Sequence, residues 1–236
     1  MVMKIITISG VDGSGKTTQL LLLKEYLEKK GFSVILFHSV SFSLVNNLLK
    51  KKKEKLARRV KEKSKVSQEQ VSIFEEEPAK AVTRSGWLGI LARKLVLLID
   101  LYRFRRLLTK LSHEGTDYLL SDRYFYDQII NILYLSFQER ILHNLTSPRK
   151  KKVPVKLSLL LRLADRLIVK PDWSFFVEIK PEVVLKRDKE LEQDKNYLLI
   201  KNSLYRKFVP HWQIRVLDGQ DSIENIQEKI RNIIGV

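Results

Sequence analysis

The chain contains no cysteine in its 236 residues. Disulfides and thiolate metal sites are therefore excluded, and nothing points to an oxidising compartment. The four histidines are scattered, without the spacing of metal ligands. Long hydrophobic runs are also missing. The longest, 88–101 and 157–169, are both broken by Arg or Lys and fall short of the roughly 20 apolar residues a membrane span needs. Residues 1–10 lack the long apolar region and cleavage site of a signal peptide. These absences lead us to expect a cytoplasmic protein with no membrane partner.

Apolar residues make up 44% of the sequence, which marks a globular chain. The length suits one large α/β domain spanning 1–236. The formal charge of +17 is concentrated: residues 50–65 carry a net +8 and residues 149–156 a net +5. Local basic segments on an otherwise mildly basic molecule argue against a uniform nucleic-acid coat. Segment 50–65 has no interleaved aromatics for stacking on single strands. We read it as a solvated basic helical insertion at about 43–66.

Residues 4–9 (KIITIS) form a β-branched run expected to be a buried parallel strand. Helical spacing follows over 17–30, closed by Gly31, and then a second strand over 32–37. Helices are expected over 87–111, 125–145, 158–168 and 222–234, with a further one starting at Pro181. Strands are expected over 118–121, 174–179 and 213–217. Strands alternating with helices imply a doubly wound five-stranded parallel sheet with helical insertions, its site at the strands' carboxyl ends.

The sequence from Gly10 to Thr17, GVDGSGKT, fits G-x-x-x-x-G-K-[ST] between a strand and a helix. Such a loop turns backbone N–H groups onto phosphate oxygens, and the helix that follows presents its positive end to the same anion. We therefore expect Gly10, Asp12, Gly13, Ser14, Gly15, Lys16, Thr17 and Thr18 to bind ATP. Lys16 would reach the β- and γ-phosphates. Asp122 ends the third strand, where a carboxylate can join the Thr17 hydroxyl in holding Mg²⁺. Arg123 is placed to brace transferred phosphate oxygens. Tyr124 and Asp127 lie beside this centre as candidates for the acceptor.

The segment GVDGSGKTTQ (10–19), with Asp122-Arg123-Tyr124, resembles the phosphate loop and the Asp-Arg-Tyr element of thymidylate kinases. Pro171-Asp172, Pro181-Glu182 and the Val-Leu-Asp-Gly ending at Gly219 match later pieces of that family in order. The resemblance implies a P-loop nucleoside-monophosphate kinase fold, moving the γ-phosphoryl group of ATP to dTMP with Mg²⁺. It implies catalytic roles for Asp12, Lys16 and Arg123, with Asp12 contacting the acceptor sugar hydroxyl, and we expect Arg103 and Arg123 to join Asp12, Tyr124 and Asp127 in binding the acceptor. It also implies a lid at about 186–196, where Arg187 and Lys189 are candidate cations. A homodimer is compatible with this reading, and nucleic acid is a less favoured partner.

The chain departs from the family on the acceptor side. Residues 37–42 (FHSVSF) hold no Arg or Lys, where thymidylate kinases commonly grip the acceptor phosphate. The arginine they use near the thymine edge has no direct counterpart, and Arg103 lies just beyond that position. Two other readings stay open: a kinase of another small acceptor, such as a nucleoside or sugar, and a nucleotide-dependent nucleic-acid-binding or regulatory protein.

Overall fold

The KIITIS run extends by one residue into strand β1, Lys4–Gly10, buried at every position after Lys4. Successive side chains point to opposite faces. Ile5 therefore enters one apolar cluster, while Ile6 and Ile8 enter another. The computed structural model describes residues 3–43, 87–145, 157–187 and 195–236. The expected basic helix beyond residue 43, the segment 149–156 and lid residues 188–194 lie outside the described residues.

Helix α1 (Lys16–Lys29) and strand β2 (Val34–His38) follow, then a four-residue helical turn, α2 (Ser39–Phe42). The described chain resumes with α3 (Trp87–His113), β3 (Tyr118–Asp122), α4 (Phe125–Leu145) and α5 (Leu159–Leu167). It closes with β4 (Trp173–Glu178), α6 (Pro181–Arg187), α7 (Lys195–Trp212), β5 (Arg215–Asp218) and α8 (Ile223–Ile234).

The five strands run β2-β3-β1-β4-β5, and all pair in parallel. The expected doubly wound sheet is thus present. β1 sits at its centre, and the chain winds first toward β3 and β2, then toward β4 and β5. A crevice opens at such a switch point, beyond the carboxyl end of the central strand. The phosphate loop leaves β1 there.

Helices cover both faces. Leu20, Leu23 and Leu27 of α1 and Ile226, Ile230 and Ile234 of α8 pack on one face. A buried amide pair ties these two helices: Gln227 Nε2 donates to Gln19 Oε1 at 2.8 Å. Ser222 caps α8 by accepting from the Asn225 N–H at 3.2 Å. On the other face α3, α4, α5 and α7 bring Leu101, Phe104, Ile129, Leu161, Tyr205 and Trp212 onto Ile5, Leu119 and Phe176.

The sequence assigned no helix to 195–212 and no turn to 39–42. In α7, Leu198, Leu204, Tyr205, Phe208 and Trp212 are buried, a three-to-four spacing that favours one helical face. Pro210 near its end obscures that pattern. The last strand begins at Arg215, two residues later than expected, because Gln213 takes a left-handed φ of 53° in the turn leaving α7.

Candidate functional site

The phosphate loop depends on glycine at two points. A Cβ on Gly10 would lie 2.8 Å from both the Ser14 hydroxyl oxygen and the Val177 carbonyl oxygen of β4. Gly15 caps α1 with φ 89°, in the left-handed region that side chains rarely adopt. Lys16, directly after Gly15, folds back and donates from Nζ to the Val11 carbonyl at 2.7 Å. Its ammonium is 3.9 Å from Asp12 Oδ1. Lys16 is buried. Burial pushes its pKa below the ordinary value, and the Asp122 and Asp127 carboxylates partly offset that. A buried cation at the mouth of a phosphate loop is an anion receptor with few competing partners.

Ser14 is buried, and its hydroxyl makes no hydrogen bond. Gly13 has φ 74° within the same loop. Thr17 and Thr18 are exposed at the start of α1. The Thr17 hydroxyl donates to Asp122 Oδ2 at 2.7 Å. The other Asp122 oxygen, Oδ1, is buried and has no hydrogen-bond partner. The hydroxyl and carboxylate expected to share a metal are therefore in contact, and one carboxylate oxygen is left over.

Arg123 has a left-handed φ of 61°, which is uncommon for a residue with a side chain. Three contacts hold it there. Its N–H donates to the Ile8 carbonyl of β1 at 3.1 Å. Its carbonyl accepts from the Ser121 hydroxyl at 2.5 Å. Its guanidinium pairs with Asp12 in the phosphate loop. The strained turn thus directs a cation from β3 across onto the loop from β1. Strain of this kind gathers where a surrounding network over-determines the backbone.

Asp127 and Tyr124 differ from their expected roles. Both are fully buried. Asp127 Oδ2 accepts from the Ser9 hydroxyl at 2.5 Å and the Tyr124 N–H at 2.8 Å, and Oδ1 accepts from the Tyr205 hydroxyl. Tyr124 donates its hydroxyl to the Val169 carbonyl at 2.6 Å. In this conformation neither presents a polar atom to an acceptor. They brace the turn that carries Arg123. Tyr205 was missed from the sequence because it lies on the unassigned helix α7. Its phenol pKa is raised well above the ordinary value, first by burial and then by the Asp127 charge, so it stays a donor.

Arg103 comes to the β2 side of the cleft. Its Nη1 donates to the Phe42 carbonyl at 3.0 Å and to Asp100 Oδ1 at 2.8 Å. Arg187, the candidate lid cation, is exposed at the last position of α6. Lys189 lies outside the described residues.

A five-stranded parallel sheet in this order, with a phosphate loop after β1 and an acid at the end of β3, is the α/β fold of P-loop kinases. The fold matches solved thymidylate kinases end to end. The enzyme from Candida albicans superposes with a TM-score of 0.60 at 16% identity, covering 99% of this chain and 91% of that one. The enzyme from Ehrlichia chaffeensis gives 0.54 at 18%, covering 100% of both. By sequence, a probable thymidylate kinase of Thermococcus gammatolerans is 26% identical across 98% of this chain and 94% of its own length. Another from Sulfurisphaera tokodaii is 24% identical across 98% and 95%. No family model matches the sequence. Over its whole length the chain is similar to probable thymidylate kinases, at low identity.

Proposed function

We propose that the protein transfers the γ-phosphoryl group of ATP to a nucleoside monophosphate, dTMP. The observation that carries this reading is the meeting of Lys16, the Thr17–Asp122 pair and the Asp12–Arg123 pair at the carboxyl ends of β1 and β3. The end-to-end likeness to probable thymidylate kinases supports the acceptor. The setting implied is cytoplasmic.

In the reaction, an oxygen of the acceptor phosphate forms a bond to the γ-phosphorus. The bond to the β,γ-bridging oxygen breaks, and ADP leaves with that electron pair. Little covalent chemistry falls to the protein, so its work is positioning and charge stabilisation. The loop amides and the Ser14 hydroxyl receive phosphate oxygens. Lys16 exchanges the Val11 carbonyl for the β- and γ-phosphates, whose charge offsets the burial of its ammonium. Arg123, freed in part from Asp12, lies over the transferred group. Asp12 is then available to the acceptor, as the family resemblance implies. Arg187 joins from the lid side.

The residues present fit Mg²⁺. The orphaned Asp122 oxygen and the Thr17 hydroxyl are hard oxygen donors beside the phosphate site, and Mg²⁺ favours few protein ligands together with phosphates. When bound, the ion would neutralise charge on the β- and γ-oxygens.

The test is a panel of acceptors with labelled ATP and Mg²⁺. The expected result is dTDP from dTMP, with little or no product from thymidine or sugars. No turnover of dTMP at saturation would overturn the assignment. Turnover of thymidine or a sugar instead would favour the kinase of another small acceptor.

A further inference from the structure

β2 ends at His38, in register with Asp122 of β3, which in turn pairs with Ile8 of β1. Neighbouring strands are about 4.8 Å apart, so the exit of β2 lies roughly 10 Å from the phosphate-loop strand. Residues 37–42 supply no cation there. The backbone is nevertheless fixed. The Ser39 hydroxyl donates to the Tyr124 carbonyl at 3.3 Å, and Gln128 Nε2 donates to the Ser39 carbonyl at 3.1 Å. Both clamps tie α2 to the segment that follows Arg123.

Arg103 reaches this turn from α3. Its two Nη1 contacts, to Phe42 and to the fully buried Asp100, use that nitrogen's two protons. The guanidinium carbon lies 4.5 Å from the centre of the Phe42 ring. That ring is itself packed on Phe37 at 5.2 Å. Three contacts thus fix the plane of the guanidinium. Its Nε and Nη2 donate to no described residue, and the side chain is 32% exposed. Nε and Nη2 form one edge of the planar fork, the edge whose spacing matches two oxygens of a phosphate.

We propose that this edge of Arg103 is the receptor for the phosphate of a phosphomonoester acceptor. Asp100 and Phe42 are its positioning residues. The proposal rests on the kinase reading above and adds the group that tells a monophosphate from its nucleoside. Family resemblance would place an arginine from this helix near the thymine edge. The geometry here turns Arg103 toward the β2 exit, where residues 37–42 carry no Arg or Lys.

The experiment measures binding of dTMP, of thymidine and of ATP to the wild type and to Arg103→Gln by calorimetry. Charge-assisted hydrogen bonds of this kind correspond to about 10- to 150-fold in affinity. R103Q is expected to lose dTMP affinity by that factor while thymidine and ATP bind as before. R103K is the second variant, to be used also if R103Q fails to fold. It keeps the charge without the fork, so it should lose part of the dTMP affinity and none of the thymidine affinity. Unchanged dTMP binding in both variants would overturn the proposal. Equal loss of dTMP and thymidine would also overturn it, because Arg103 would then only hold α2 in place. If the wild type binds thymidine or ATP but not dTMP, the reading beneath the proposal fails, and the proposal with it.

Discussion

The two sides of the cleft are built by different means. The donor side is made within one stretch of chain: Gly10 to Thr17 supplies a backbone cradle, a buried ammonium and a hydroxyl. The proposed acceptor side is assembled from separate segments: Arg103 meets Phe42 across 61 positions of sequence, and Gln128 meets Ser39 across 89. A local cradle can be set by glycine conformation and helix geometry. An assembled one depends on how α2, α3 and α4 pack.

The sharpest test of that contrast is Lys16→Met. Loss of one preorganised charge partner in a transition state typically costs about 10²–10³-fold in rate, and transfer should fall at least that far in a steady-state assay. Fold stability should hold or rise. The folded state keeps the Lys16 pKa below the ordinary 10.5, so the unfolded chain binds that proton more readily. Stability from this residue therefore increases as pH climbs through the window below 10.5, and K16M should lack that increase in denaturation curves across pH. A large loss of stability in K16M would mean that the ammonium supports the fold, and the two-sided picture would weaken.

The next effect concerns the wall between the two sides. Asp127→Ala leaves the Ser9 hydroxyl, the Tyr124 N–H and the Tyr205 hydroxyl without their acceptor in a buried site. Each such group costs about 1–3 kcal/mol, so a loss of at least about 3 kcal/mol is expected in urea unfolding. The smallest effect is Tyr205→Phe, about 1 kcal/mol, since Asp127 keeps two donors. In a double-mutant cycle the two changes should be less than additive, because they share one bond. Full additivity would show that Tyr205 and Asp127 act independently.

Much of this was legible beforehand. The alternation of Lys4 to Ser9, the glycines of the loop and the Ser222 cap are short-range signals, and each element stands within a residue or two of its expected place. Thr17 and Asp122 could be paired from the sequence because a parallel sheet brings adjacent strand ends together. Tyr124 and Asp127 adjoin Arg123 in sequence, and adjacency says nothing about which way a side chain is buried. Tyr205 gave no signal without α7, whose buried face is interrupted by Lys201 and Asn202.

The sequence by itself determined the phosphate loop, the helix that follows it and the alternation of strands and helices that makes the sheet. These follow from φ preferences, capping and periodicity over a few residues. Tertiary structure alone decided that Asp127 faces inward, that Tyr205 supports it and that Arg103 stands at the exit of β2. Those contacts join residues 61 to 118 positions apart, and at that range only the packing of whole elements fixes which side chains meet.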